Sequence, residues 1–252
     1  MQILKAENIS KVYGSKKGSK QYMALRNISF EVDEGEFIGV MGPSGSGKTT
    51  LLNILGSIDK PTTGRLIVDG RDITGLSKDQ LAIHRVKKIG FIFQDYNLLE
   101  TMTLKENIIL PLAIAGYKAQ VMESKLHTFA KDLGIMRILD KYPYEVSGGE
   151  QQRAAACRAL ITNPKLILAD EPTGNLDSKS GKDLLELLTF INSEYRATIL
   201  MVTHDVFAAS YCQKIMFIRD GEIYNELYAG DDKKQFFDSI IDVMSVLGGE
   251  AI

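Results

Sequence analysis

The chain has 252 residues, 44% hydrophobic and 25% charged, with a formal net charge of −2. That length suits one large domain or two tightly joined lobes around a sizeable core, and the balanced charge argues against a nucleic-acid partner and against a disordered acidic tail. Cys157 and Cys212 both sit in apolar stretches, which favours free thiols in a reducing compartment over a disulfide. The N-terminus lacks the shape of a signal peptide, and the most apolar stretch, 108–117, is too short to cross a bilayer and contains Pro111. The expectation is a soluble cytoplasmic chain whose membrane role, if any, needs a partner.

In chain order, residues 3–9 and 28–32 alternate apolar and polar side chains, as half-buried strands do. Between them residues 14–20 form a basic, glycine- and serine-containing loop. Tyr13 precedes that loop; it reads either as core filling, which the residues by themselves favour, or as a ring face for a base. The apolar run 37–41 reads as a buried strand and 50–55 as a helix, with Gly56 as its C-cap. Between strand and helix lies Gly42-Pro43-Ser44-Gly45-Ser46-Gly47-Lys48-Thr49, which fits G-x-x-x-x-G-K-[ST]. Glycines in such a loop let successive backbone N–H groups converge into an anion nest, and the helix N-terminus adds partial positive charge. Lys48 is then placed to reach β- and γ-phosphates, and the Thr49 hydroxyl to hold Mg²⁺.

Further on, residues 64–70 read as a strand turning at Asp69-Gly70, 76–88 as an amphipathic helix, and 89–93 as a buried strand ending at Gln94. Gln94 stands where open α/β sheets bind ligands, with an ordinary loop glutamine as the alternative. From 95 to 159 the pattern is helical and reads as an inserted lobe. It contains a capping box at Thr103–Glu106 and an apolar stripe of Val121, Leu126, Phe129, Ala130 and Leu133. A second box, Ser147–Glu150, opens an alanine-rich helix whose first turn carries Gly148 and Gly149. Residues 165–171 form an apolar strand ending in Asp170 and Glu171, as befits a parallel strand buried on both faces. Beside a phosphate loop, these two acids suit metal and base roles. A helix at 180–193, a strand at 198–203 ending in His204, a hairpin around Asp220-Gly221, and an amphipathic tail complete the pattern. The tail stripe, Phe236, Phe237, Ile240, Ile241, Met244 and Leu247, docks on the domain or on a partner.

Together these residues resemble the nucleotide-binding subunit of ATP-binding-cassette transporters, over nearly the whole chain and in the family's order. The resemblance implies an α/β P-loop NTPase core with a parallel sheet, an N-terminal antiparallel β-subdomain and an inserted helical subdomain. The cassette would span 1–230, with the insert at about 95–159 and a C-terminal amphipathic helix at 231–252. Residues 42–49 match the Walker A loop, Gln94 the Q-loop, 146–151 the family signature, 166–171 Walker B, 175–177 the D-loop, and His204 the switch histidine. Tyr13 matches the adenine-stacking aromatic, which reverses the preference for core.

Carried onto this sequence, the family mechanism implies ATP held by Tyr13, Ser44, Gly45, Ser46, Gly47, Lys48, Thr49 and Thr50. Mg²⁺ would be held by Thr49 and Gln94, and by Asp170 through water. Glu171, His204 and Gln94 would be catalytic. Ser147, Gly148, Gly149, Glu150 and Asp177 of a second copy would close over the same ATP. The commonest signature has glutamine where Glu150 stands, a charge that is tolerable if Glu150 turns back to cap its own helix. Finer features at 91–99, 107–112, 208–212 and the tail resemble the bacitracin- and lantibiotic-resistance type. This lies within the branch of macrolide exporters and lipoprotein-release ATPases. That implies a motor at the cytoplasmic face of the membrane, serving a permease that handles antimicrobial peptides and, through it, a histidine kinase. Alternatives are a regulatory ATPase that moves no solute, or a lipoprotein-release or macrolide-export ATPase. A cassette acting on DNA or ribosomes fits poorly, since there is one cassette, no long coiled coil and no zinc cysteines.

Overall fold

Two sheets carry the chain. A computed structural model describes residues 1–14 and 21–248, so nearly all of the basic loop read at 14–20 lies outside the described residues, as do residues 249–252. The first sheet has the order β2-β1-β4-β5, from β1 (Gln2–Tyr13), β2 (Tyr22–Asp33), β4 (Thr63–Val68) and β5 (Arg71–Asp72), all antiparallel. The second is built from β3 (Phe37–Met41), β6 (Ile89–Phe93), β7 (Leu166–Asp170), β8 (Ile199–Val202), β9 (Lys214–Arg219) and β10 (Glu222–Tyr228). Its order is β10-β9-β3-β8-β7-β6, parallel throughout except for β10.

β1 and β2 run well beyond the stretches their alternation predicts. Bulges interrupt their pairing between Ala6 and Ile9 and between Ile9 and Lys11, and Asn8 and Asn27 take φ of 51° and 47°. Each bulge shifts the in–out period by one, so alternation read along the sequence stops at the first irregularity. The Asp69-Gly70 turn is as expected, with φ of 50° and 72° joining β4 to β5.

The central strands are apolar on both sides because two cores meet across them. Phe37, Met41, Ile167, Ala169, Ile199 and Met201 face one core, while Ile38, Val40, Leu166, Leu168, Leu200 and Val202 face the other. The first core holds the helical segments. α3 (Leu104–Ile114), α4 (Ala119–Asp132), α5 (Gly148–Leu160) and α6 (Ser178–Tyr195) contribute Ile108, Leu126, Ala156 and Leu188. The second core joins α1 (Lys48–Leu55) and α2 (Lys78–Lys88) to the antiparallel sheet through Leu51, Leu81, Leu4 and Leu66.

Caps set several boundaries that periodicity alone misplaces. Ser77 caps α2, and Asp177 caps α6, which spans Ser178–Tyr195 rather than 180–193. Gly56 does occupy the C-cap of α1, but at φ −74°, so glycine is not needed there for a left-handed turn. A Cβ at that position would lie 2.4 Å from the Phe91 ring, and this close packing is what requires glycine. Val121 departs from the expected stripe. It sits in the first turn of α4 and is exposed, while Leu126, Phe129, Ala130 and Leu133 are buried. The tail forms α8 (Lys233–Gly248), whose Phe236, Ile240 and Leu247 join the first core against α7 (Val206–Ala209). Docking is therefore on the domain, although Ile241 remains exposed. Both cysteines are free and buried, and burial pushes the Cys157 thiol up to about 12.

Candidate functional site

Because β3, β6, β7 and β8 are parallel, their carboxyl ends lie along one edge of the sheet. The glycine loop after β3, Gln94 after β6, Asp170-Glu171 at the end of β7 and His204 after β8 are all delivered to that edge. This is the place where such sheets bind ligands.

The loop itself needs glycine at Gly42 and Gly47. Their φ values are 150° and 106°, and a Cβ would lie 2.1 Å from the Ile218 carbonyl oxygen and 2.5 Å from that of Ala24, respectively. The loop wraps round Lys48, which is buried and donates from Nζ to the carbonyls of Gly42 (2.8 Å) and Pro43 (2.9 Å). Burial lowers the lysine's pKa, against the raising effects of Glu171 and Asp170. Among the described residues Ser46 Oγ is buried without a hydrogen-bond partner, while Ser44, Gly45 and Thr49 are exposed and Thr50 is partly covered.

Tyr13 is 40% exposed, which excludes the core reading. Its hydroxyl donates to Asp59 (2.8 Å), and Lys11 Nζ sits 4.8 Å from the ring centroid. Tyr22, its cross-strand partner, donates from its hydroxyl to the Gly45 carbonyl at 3.0 Å. The sequence reading missed Tyr22. Only its pairing with Tyr13 across the hairpin marks it, and that pairing is tertiary information.

Glu171 takes φ 44°, an uncommon conformation for a non-glycine residue, and its Oε1 lies 3.1 Å from His204 Nδ1. Asp170 is half-buried. Desolvation raises its pKa, the Glu171 charge adds to the rise, and Lys48 opposes both. Among the described residues no cluster of three His, Cys, Asp or Glu side chains exists that would cage a metal. Mg²⁺ commonly takes one or two carboxylates plus substrate phosphates, so this donor set fits an ion bridged to a bound nucleotide.

Gln94 Nε2 donates to Asn175 Oδ1 (3.2 Å), and Asn175 Nδ2 donates to the Gln94 carbonyl (3.3 Å) and to Asp95 (2.8 Å). Gly174 makes room for this contact, since a Cβ there would meet Gln94 Nε2 at 2.8 Å. The Asp177 carboxylate accepts the Lys179 and Ser180 N–H groups and the Ser180 hydroxyl, which holds it below the ordinary range.

Ser147, Gly148, Gly149 and Glu150 open α5, and Glu150 Oε2 accepts both the Ser147 N–H (2.9 Å) and the Ser147 hydroxyl (2.8 Å). Among the described residues no hydrogen bond or ion pair joins 147–150 to the glycine loop or to Asp170-Glu171 of the same chain. Two further polar residues of α5, missed in the sequence, tie it to the site's edge. Buried Gln152 donates to the Pro172 carbonyl (2.7 Å), and Arg158 donates to the carbonyls of Tyr96 (2.7 Å) and Asn97. Burial brings Arg158 down to about 10.

With this geometry in hand, residues 25–174 match the family model described as ABC transporter. The chain is 52% identical to the bacitracin export ATP-binding protein BceA of Halalkalibacterium halodurans, covering 99% of this chain and 98% of that protein. It is 53% identical to the ABC transporter ATP-binding protein YvcR of Bacillus subtilis, covering 99% and 96%. Among solved structures it resembles an ATP-binding cassette of Methanocaldococcus jannaschii, a dimer in a post-hydrolysis state bound to ADP and Pi. That likeness has a TM-score of 0.81 and 39% identity, covering 90% of this chain and all of that one.

Proposed function

Since this chain belongs to the ABC transporter family as an ATP-binding and ATP-hydrolysing subunit, we propose that it is the motor of a permease complex that handles antimicrobial peptides. The peptide class rests on its 52% identity to a bacitracin export subunit. The complex would work at the cytoplasmic face of the membrane, and a histidine kinase would be reached only through the permease.

In this reading the loop amides and Lys48 take the β- and γ-phosphates, and Tyr13 offers its ring to adenine. Ser44, Gly45, Ser46, Gly47, Thr49 and Thr50 complete the cradle. Thr49 and Gln94, and Asp170 through water, would hold Mg²⁺, which when bound would supply charge neutralisation at the phosphates. Glu171 accepts the proton of the attacking water, and His204 touches the γ-phosphate. Ser147, Gly148, Gly149, Glu150 and Asp177 belong to the ATP of the second copy. Neither surface alone neutralises the charge developing in phosphoryl transfer, so hydrolysis waits for the closed dimer.

The observation that carries the motor reading is the glycine loop folded round Lys48 beside the Asp170–Glu171 pair. For the permease, a suitable surface is an open, mainly apolar groove of about 370 Å³ lined by Ile58, Phe91, Leu110, Pro111 and Ile114 together with Arg85 and Arg158. Phe93, directly before Gln94, also lines it, so a permease helix seated there reaches the catalytic edge through one residue. The test is deletion of the gene in its host and challenge with bacitracin. Sensitivity should rise, wild type should restore resistance, and Lys48→Ala should not. Unchanged sensitivity would remove the peptide assignment while leaving the ATPase assignment to a phosphate-release assay.

A further inference from the structure

Among the described residues three α-helices open on the same kind of box: Ser77–Gln80 on α2, Thr103–Glu106 on α3 and Ser147–Glu150 on α5. In each, the third residue's side chain accepts the backbone N–H of the cap, and the cap oxygen accepts the backbone N–H of the third residue. They differ in one hydrogen bond. The Thr103 and Ser147 hydroxyls each donate to a glutamate Oε2 at 2.8 Å. The Ser77 hydroxyl makes no such bond to Gln80, whose Oε1 takes only the backbone N–H, at 2.9 Å. An ionised carboxylate is the stronger acceptor; on α3 and α5 one carboxylate oxygen takes both donors of the cap residue, while on α2 the neutral Gln80 amide oxygen takes one.

On α3 this difference has no consequence beyond the cap. On α5 it falls on the serine read above as meeting the ATP of the second copy. A serine has a single hydroxyl proton, and here Glu150 already holds it. We infer that Glu150 is an on-chain stand-in for the arriving γ-phosphate. Its carboxylate occupies the Ser147 hydroxyl and the positive end of α5, and so sets how much ATP the dimer needs in order to close. When a phosphate takes the proton, two anions share one helix N-terminus, and their repulsion opposes closure. The charges of Lys141 and Arg137 offset part of that of Glu150 from a distance.

The inference rests on the reading that Ser147 contacts the partner copy's nucleotide, and the experiment separates the two. The full-length chain is titrated with non-hydrolysable adenylyl imidodiphosphate, and dimer formation is followed by sedimentation velocity. Glu150→Gln keeps the backbone cap, as Gln80 shows, but frees the hydroxyl. It should dimerise at roughly tenfold lower nucleotide, about one logarithmic unit, with the gap narrowing as salt screens the charge. Glu106→Gln makes the same change on α3 and should keep the wild-type response. Glu150→Gln dimerising at or above the wild-type concentration overturns the inference, as does an equal gain in Glu106→Gln. Ser147→Ala should need more nucleotide; a wild-type response there overturns instead the placement of Ser147 on the nucleotide.

Discussion

His204 Nδ1 lies 3.1 Å from Glu171 Oε1, and the two side chains come from the ends of neighbouring parallel strands. Glu171 is held for this contact in a left-handed backbone conformation, with its N–H on the Val202 carbonyl at 2.9 Å. A carboxylate fixed in this way suits a proton acceptor whose direction matters. Glu171→Gln should keep ATP binding and trap the dimer while phosphate release falls by roughly 10²–10⁴-fold, the usual worth of a positioned base. Turnover at the wild-type rate would remove Glu171 from the base role.

In the proposed reading Lys48 has two tasks, because the ammonium assigned to the phosphates also pins the carbonyls of Gly42 and Pro43. Lys48→Ala should abolish ATP binding measured by calorimetry and loosen the loop, seen as faster hydrogen exchange over 42–47. An unchanged ATP dissociation constant would rule out the phosphate contact.

Tyr13 separates ring from hydroxyl. Tyr13→Phe keeps a stacking face and loses only the bond to Asp59, so ATP affinity should stay near wild type; Tyr13→Ala should weaken it. Equal affinities in both variants would leave the ring without a nucleotide role.

Asp170 gives a pH prediction for the nucleotide-free protein. Its folded-state pKa is raised, chiefly by burial, so between the unfolded and folded values the native state holds the extra proton. Stability therefore falls as pH rises through that window, and the ionised carboxylate remains a cost at neutral pH. Asp170→Asn should raise Tm at pH 7 without nucleotide and reduce ATP hydrolysis. A lower Tm by calorimetry would contradict the burial argument.

Gly90 is a packing prediction. A Cβ there would lie 2.3 Å from the Ala159 carbonyl oxygen, a backbone atom of α5 that cannot turn aside. Gly90→Ala should cost about 1–3 kcal/mol in denaturant unfolding, the usual range for overpacking, and push α5 away from β6.

What the amino-acid order determined by itself is whatever depends on neighbours in the chain. The 42–49 loop between strand and helix, the capping boxes at Thr103 and Ser147, the Asp69-Gly70 turn and the two-sided apolar strands were legible because their hydrogen bonds and periodicities close within a few residues. Only the tertiary structure decided the rest. Bulges hid the true length of β1 and β2, the position of Val121 in the first turn of α4 left it exposed, and α8 had to find α7 before its docking side was known. Tyr22 on Gly45, Gln152 on Pro172 and Arg158 on Tyr96 join residues far apart along the chain. No local pattern marks such pairs, because a side chain's partner at that distance is chosen by how the sheets and helices pack and not by the residues beside it.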